Sequence, residues 1–455
     1  MSGGEPVGGG GATSGGEPVG GGEPVGGGEP GPPSPDGVPA SGSDADPAVL
    51  HDFLRELARF LLRFSGEGAE GVDRIVRGVA RTYGGRAETV VVADGAVLTV
   101  TAGGLTLTST VRAFPDVARL DRAVALKEFV ERLRTERPAL PEAVAGLRRI
   151  EALPSPVPSW ARLIGIVLFA VGFAPAVQAT WYEIGTTALL ATPVAALTVL
   201  SERHPRLARV LPLLAATLVS LVTLGLLRPE SGHGGPVMIM LPALFFFVPG
   251  DLLSAAAAEL VGGFLTTGAV RLVYALVLLL QLYVGVLLGV AVTGTPTGAL
   301  FDTVGDPDLS RWVIVGSWAV FTLGLVLAFG VPWRVAGWPA GLVYLALGAQ
   351  AAGTALVGEV AGTFVAATAL AAAADLLSRP AGRPPRLVLL LGGFFTLTAG
   401  SLGLRALTSL AGGHVLHGFH DLMDFVTIVT TIAVGLIAGA ALVPARVEKE
   451  FPAAS

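Results

Sequence analysis

From Leu163 onward the chain is a succession of apolar blocks separated by short polar breaks, and several blocks reach the roughly 20 residues with which a helix crosses a bilayer. Buried helices of a large soluble protein would need a charged surface to face water, and this region has too few charges to make one. Only 14% of the 455 residues are charged, where an ordinary soluble domain spends about a quarter. The charges concentrate between residues 46 and 162. The blocks predict ten transmembrane helices, over 163–180, 184–200, 208–227, 237–257, 271–293, 312–330, 335–353, 356–377, 387–405 and 420–443. The fourth and ninth contain Pro or Gly and are expected to be interrupted.

Ahead of these blocks lie three other regions. Residues 1–45 repeat GGEPVGGG at 3–10 and 15–22 and have almost nothing to bury, so a disordered Gly/Pro-rich tail is predicted. That start has neither the basic opening nor the apolar stretch of a cleaved signal peptide. Residues 46–153 read as an α+β domain. Leu50, Phe53, Leu54, Leu57, Phe60 and Leu61 share one helical face, and Val72, Ile75, Val76 and Val79 repeat the pattern. The runs ETVVVADG, AVLTVTAG and LTLTSTVRAF are strand-like, and helices follow over 116–133 and 141–153. Residues 154–162 form a Pro-rich linker with Trp160 and Arg162 placed as interfacial anchors. With no cysteine, disulfides, thiolate metal sites and cysteine nucleophiles are excluded. A basic nucleic-acid footprint is absent as well.

Charge placement sets the orientation. With ten spans and the N-terminal domain in the cytoplasm, the inner segments hold Arg203, Arg206, Arg209, Arg271, Arg334, Arg379, Arg383, Arg386, Arg446 and Lys449; the outer side holds Arg228, Arg311 and Arg405. That bias follows the positive-inside rule and puts both termini, including the tail 444–455, in the cytoplasm. The loop 294–311 falls outside. Residues 163–293 and 312–443 each contain five spans, and an odd number makes the second half enter the membrane inverted. Each half also has a similar broken motif in its fourth span, LPALFFFVPGDLLSA at 241–255 and LLLGGFFTLTAGSLGLRA at 389–406. The expected fold is an α-helical polytopic membrane protein of two inverted five-helix repeats with a cytoplasmic α+β domain, a plan that places a solute site at the interrupted helices.

In Val248-Pro249-Gly250, Pro249 lacks an N–H and obstructs the carbonyl four residues back, while Gly250 accepts unusual backbone angles. An opened turn exposes backbone groups that need a cavity, water or protein partners. A freed helix N-terminus suits a carboxylate and freed carbonyls suit an ammonium. Asp251, Glu259, Glu359 and Asp375 are costly inside a membrane unless paired or protonatable, so each is a candidate proton carrier or ammonium partner. Asp251 would serve equally as a helix cap, and Glu259 and Asp375 as interfacial charges. Gln178, Gln281 and Gln350 suit solute binding or helix-to-helix hydrogen bonds. Gly400, Ser401 and Arg405 in the second break offer clearance, a hydroxyl and a cation. His414, His417, His420, Asp421 and Asp424 lack metal-site spacing and read as a solvated loop with a helix cap. The soluble domain has no nucleophile–base set and no phosphate loop, so neither an enzyme nor a metal or other cofactor is expected.

The segments LLRFSGEGAEGVDRIVRGVARTYGG at 61–85, LDRAVALKEFVERL at 120–133, LPALFFFVPGDLLSAAAAELVGGFLTTGAVRLVYAL at 241–276 and GSLGLRAL at 400–407 resemble those of the bacterial threonine/serine exporter family. The resemblance covers nearly everything after the tail and fits the fused, two-half form. It implies a proton-driven secondary exporter of threonine and serine in the bacterial inner membrane. Split members of the family are linked to succinate, which makes a small carboxylate the alternative substrate. The chain departs from the pattern at Leu397-Thr398-Ala399-Gly400, where a Val-Pro-Gly-like turn is expected, and at Asp251 and Ala255–Ala258; these departures bear on the substrate. The remaining alternative is a membrane-anchored sensor or enzyme, and removal of residues 1–153 would separate it from a transporter. The expected partners are a small solute and the lipid bilayer; a homo-oligomer is compatible with this plan.

Overall fold

A computed structural model describes residues 46–65, 68–92, 95–113, 119–227, 235–301, 309–397 and 415–444. The tail 1–45, residues 302–308 of the 294–311 loop, the stretch 398–414 and residues 445–455 lie outside them.

The N-terminal domain opens with α1 (Pro47–Phe60), capped by the Asp46 carboxylate, which accepts from Ala48 N at 3.0 Å. A π turn over Leu61–Ser65 extends it, and α2 (Ala69–Thr82) follows. Three antiparallel strands form a meander: β1 (Arg86–Val92), β2 (Gly95–Ala102) and β3 (Leu105–Arg112). Their register pairs Val90 with Val97 and Val100 with Leu107. The alternation buries Ala87, Ala96, Leu98 and Val100 in a core with Leu50, Phe53, Leu54 and Val76, and leaves a threonine-rich face outward. Helices α3 (Leu120–Thr135) and α4 (Leu140–Glu151) complete the domain. The predicted helix over 116–133 therefore starts at Leu120, with 114–118 outside the described residues.

The α3 helix belongs to two cores. Leu126, Phe129 and Leu133 pack in the domain, while Leu120 and Val124 pack with the apolar helices that follow. Leu120 N donates to Phe329 O at 3.1 Å. Lys127 Nζ donates to the carbonyls of Ser378 at 2.6 Å and Arg383 at 2.9 Å, and Glu128 pairs with Arg334 at 2.6 Å.

The apolar region contains α5 (Ser159–Phe173), α6 (Trp181–Ser201), α7 (Pro205–Val222), α8 (Pro236–Leu244), α9 (Gly250–Val261), α10 (Leu265–Thr293), α11 (Arg311–Ala328), α12 (Gly337–Val357), α13 (Glu359–Leu377), α14 (Arg386–Thr396) and α15 (Val415–Leu442). Among the described residues, eight helices are long and apolar enough to cross a membrane, and α8 with α9 makes a ninth segment bent by 66°. This is a polytopic membrane protein. Helix α14 has only 11 residues, and the rest of the predicted span 387–405 lies outside the described residues.

Glycines let the central helices touch. A Cβ on Gly172 of α5 would come within 2.2 Å of Phe321 N, and one on Gly324 of α11 within 2.2 Å of Phe169 N. Gly165 meets Leu327 and Ala328 farther along, so α5 and α11 cross antiparallel. Gly285 and Gly289 of α10 lie against Ala216 and Ser220 of α7; Gly435 and Gly439 of α15 lie against Ala367 and Ala371 of α13.

Candidate functional site

The break between α8 and α9 follows from local sequence. Residues 245–247 form a tight 3-10 turn, and Val248 is extended (φ −72°, ψ 117°), as steric conflict with the following proline requires. Pro249 (φ −82°, ψ 52°) closes an inverse γ-turn in which Gly250 N donates to Val248 O at 2.9 Å. The chain turns at Val248 and Pro249, and Gly250 is already the first residue of α9. Asp251 therefore stands in the first turn of α9, where the helix dipole favours a carboxylate.

The bend aims one face of α9 into a cavity of about 280 Å³. Asp251, Ala255, Ala258 and Glu259 line one wall, Arg271 of α10 and Arg386 of α14 supply cations, and Phe394 and Ile437 belong to the apolar part. Leu62 and Arg63 of the N-terminal domain also line it, so the cavity lies on that domain's side of the membrane helices. Glu259 pairs with Arg271 at 2.6 Å. Arg386, the first residue of α14, pairs with Asp375 of α13. Asp251 is eight residues before Glu259, about 12 Å deeper along the helix at 1.5 Å per residue. The lining thus brings three guanidinium groups, those of Arg63, Arg271 and Arg386, and two carboxylates together in one pocket walled by apolar side chains.

Next to this pocket the helices are sealed by aromatic rings. Phe173 stacks on Phe245 at 3.5 Å between centroids, Phe169 lies 4.6 Å from Phe321 and 5.0 Å from Phe395, and Phe246 stacks on Phe329 at 5.3 Å. Phe169, Phe173, Phe245 and Phe321 are fully buried.

The structure gathers part of the predicted set. Asp251 and Glu259 line the cavity, Asp375 reaches it through Arg386, and Val248, Pro249 and Gly250 make the bend. Glu359 is exposed at the first turn of α13, away from the cavity lining. Gln350 lies on α12 with its carbonyl against Gly362 of α13, and the Gln281 side-chain oxygen is buried without a hydrogen-bond partner; neither lines the cavity. Gln178 bridges helices: its amide donates to Thr187 Oγ1 at 2.9 Å and Met238 O at 3.1 Å. Gly400, Ser401 and Arg405 lie outside the described residues, as does His414. His420 is exposed and faces Asp424 at 3.8 Å. Of the three arginines at the site, sequence reading does not single out Arg63, and it uses Arg271 and Arg386 only for orientation. The signal for Arg271 and Arg386 was position, since each sits at the first turn of an apolar block. Glu183, also buried, has a structural partner set: its Oε2 accepts from Ala179 N at 2.8 Å and Thr180 N at 3.0 Å in a capping box.

Eight long apolar helices and one bent apolar segment beside a charged pocket define, among the described residues, a multi-pass membrane protein, and with the family match that follows they support a transporter role. Residues 52–293 match the family ThrE, described as "Putative threonine/serine exporter", and the chain belongs to that family. No curated protein and no solved structure matches the chain.

Proposed function

We propose that the protein is a proton-coupled secondary transporter that exports small hydroxy amino acids, threonine or serine, across the plasma membrane. The observation that carries this reading is the cavity at the α8–α9 bend, where Asp251, Glu259, Arg271 and Arg386 converge. A solute carboxylate would sit toward the arginines and its ammonium toward Asp251, whose carboxylate is the proposed proton carrier. The N-terminal domain and both termini are assigned to the cytoplasm on the charge bias of the loops.

Movement would be alternating access between two inverted five-helix halves. Support comes from spacing: Phe169 and Gly172 recur 152 positions later as Phe321 and Gly324, and the two pairs meet reciprocally across an antiparallel crossing. The starts of α8 and α14, Pro236 and Arg386, are 150 positions apart, as are those of α10 and α15, Leu265 and Val415. No enzymatic role is proposed for the soluble domain.

Counterflow into liposomes with labelled serine or threonine tests this reading, with succinate as competitor and with or without a pH gradient. Saturable exchange that responds to the gradient is expected. Exchange of succinate alone would transfer the site to small dicarboxylates, which two arginines could also receive, and no exchange by folded protein would overturn transport of either class.

A further inference from the structure

We infer that the N-terminal domain carries a second small-molecule site, a groove between α1 and α4 that takes a free amino acid with a branched or aromatic apolar side chain and regulates the transport cavity. The groove stands apart from the transport reading above; only its effect on the cavity rests on that reading.

The groove has a volume of about 390 Å³, within the size range of small-molecule sites. Its two ends differ. At one end Val49 of α1 is 41% exposed and Val144 of α4 is partly buried, beside Phe53 and Leu147 of the domain core. Seven residues beyond Val49 on the same helix face, about 10 Å along the axis, Glu56 lines the other end. Arg59 pairs with Glu56 at 2.7 Å and reaches across to Glu151 of α4 at 3.2 Å, so two carboxylates are drawn together there. Arg148 lines the groove one turn before Glu151. The other lining cation, Arg55, faces Asp52 at 3.4 Å, whereas the Arg148 guanidinium has no ion-pair or hydrogen-bond partner among the described residues.

These groups set three demands on a ligand. A carboxylate answers Arg148, whose planar fork can receive both oxygens. An ammonium answers Glu56 and Glu151, since two carboxylates sharing one arginine keep acceptor positions open. An apolar side chain covers Val49 and Val144 and removes their surface from water. A free amino acid with a long apolar side chain meets all three. Serine and threonine lack the apolar part, so the groove selects a different solute from the one proposed for the cavity.

The groove also has a route to that cavity. Helix α1 runs on into the π turn Leu61–Ser65, and Leu62, six residues after Glu56, lines the cavity together with Arg63. Single π turns are irregularities that recur at functional sites. An ammonium that shares Glu56 and Glu151 with Arg59 loosens the tie between α1 and α4, and so shifts the helix that ends at the cavity mouth. Occupancy of the groove then changes affinity in the cavity, and by linkage the change is mutual.

Calorimetric titration of the full-length protein in detergent with L-leucine tests the site, and saturable binding is expected. Isocaproate, which lacks the ammonium, and isoamylamine, which lacks the carboxylate, should each bind at least about fivefold more weakly. Arg148→Ala, at an exposed position, should weaken leucine binding by at least about fivefold, and Val49→Ser should weaken it severalfold. Asp251→Asn should leave it unchanged, because that residue lines the transport cavity. No binding by folded wild-type protein, or binding unchanged in both Arg148→Ala and Val49→Ser, would overturn the site. Binding lost in Asp251→Asn but kept in Arg148→Ala would place leucine in the transport cavity and overturn it equally. In serine counterflow, saturating leucine should shift KM about fivefold in the wild type and leave it unshifted in Arg148→Ala. An unmoved KM in wild-type protein that binds leucine would overturn the regulatory role. Absence of serine flux without leucine would instead remove the transport reading, while the binding titration still decides the groove.

Discussion

Asp251 and Glu259 share a helix face, yet they differ in partners. Glu259 is held by Arg271 at 2.6 Å, while Asp251 stands deeper, at the bend itself. A group that must take up and release a proton benefits from lacking a fixed cation, because a tight ion pair locks the charged form. Asp251→Asn is therefore expected to abolish the response of counterflow to a pH gradient, whereas Glu359→Gln, far from the cavity, should leave flux within about twofold. Gradient-driven flux surviving in Asp251→Asn would remove that residue as the carrier. Outside the membrane, Tyr83 offers a separate pH test. Its hydroxyl donates to Pro138 O at 2.7 Å, and burial, with Glu142 nearby, pushes its pKa from 10.0 up to about 12. Below pH 10 both folded and unfolded chains keep the proton, and the bond's contribution of about 1 kcal/mol is complete. Between pH 10 and 12 only the folded chain keeps it, so stability falls as pH rises. The thermal stability gap between the wild type and Tyr83→Phe should shrink across that window; a constant gap would show that the phenol is not linked to folding.

Among elements, those fixed by local chemistry were legible in the sequence. The apolar blocks marked most membrane helices, Val248-Pro249 marked the bend, and valine–threonine alternation marked the sheet. Partners between elements were less legible. Arg271 and Arg386 read as interfacial charges until α9 and α14 are brought together, and Glu359 looked like Asp251 because sequence distance does not reveal which helix end faces a cavity. The pairing of Gly172 with Phe321 and Gly324 with Phe169 was hidden for the same reason: a glycine's value lies in what approaches it. Gly324→Ala would set a Cβ 2.2 Å from the Phe169 backbone nitrogen, which cannot rotate away. Forced separation of α5 and α11 should cost about 1–3 kcal/mol. Gly185 of α6 has nothing within 4 Å of the same position, so Gly185→Ala should be neutral or slightly stabilising through helix propensity. Thermal unfolding in detergent compares the two, and equal effects would mean that the close crossing does not limit stability.

At the scale of the whole molecule, the N-terminal domain is part of the membrane assembly. Leu120 and Val124 of α3 fill the membrane core, Lys127 binds carbonyls beyond α13, and Leu62 and Arg63 stand at the cavity. Removing residues 1–153 would therefore open the core as well as delete the domain, and loss of flux in that truncation could not distinguish a transporter from a membrane-anchored enzyme. A cleaner perturbation keeps the apolar residues and cuts the polar ties. Lys127→Ala with Glu128→Ala removes the carbonyl contacts and the 2.6 Å pair with Arg334. Hydrogen bonds to charged groups contribute about 1.5–3 kcal/mol each when buried, and less where water competes. The double variant should unfold at a lower temperature. If the domain shapes the cavity mouth, releasing Leu62 and Arg63 should raise KM for the amino acid severalfold, with maximal flux changed less, because the groups at the bend remain in place. The concentration dependence of counterflow measures both quantities. An unchanged KM in a variant of lowered stability would confine α3 to holding the assembly together, whereas a collapse of maximal flux at unchanged KM would place the domain in the conformational step.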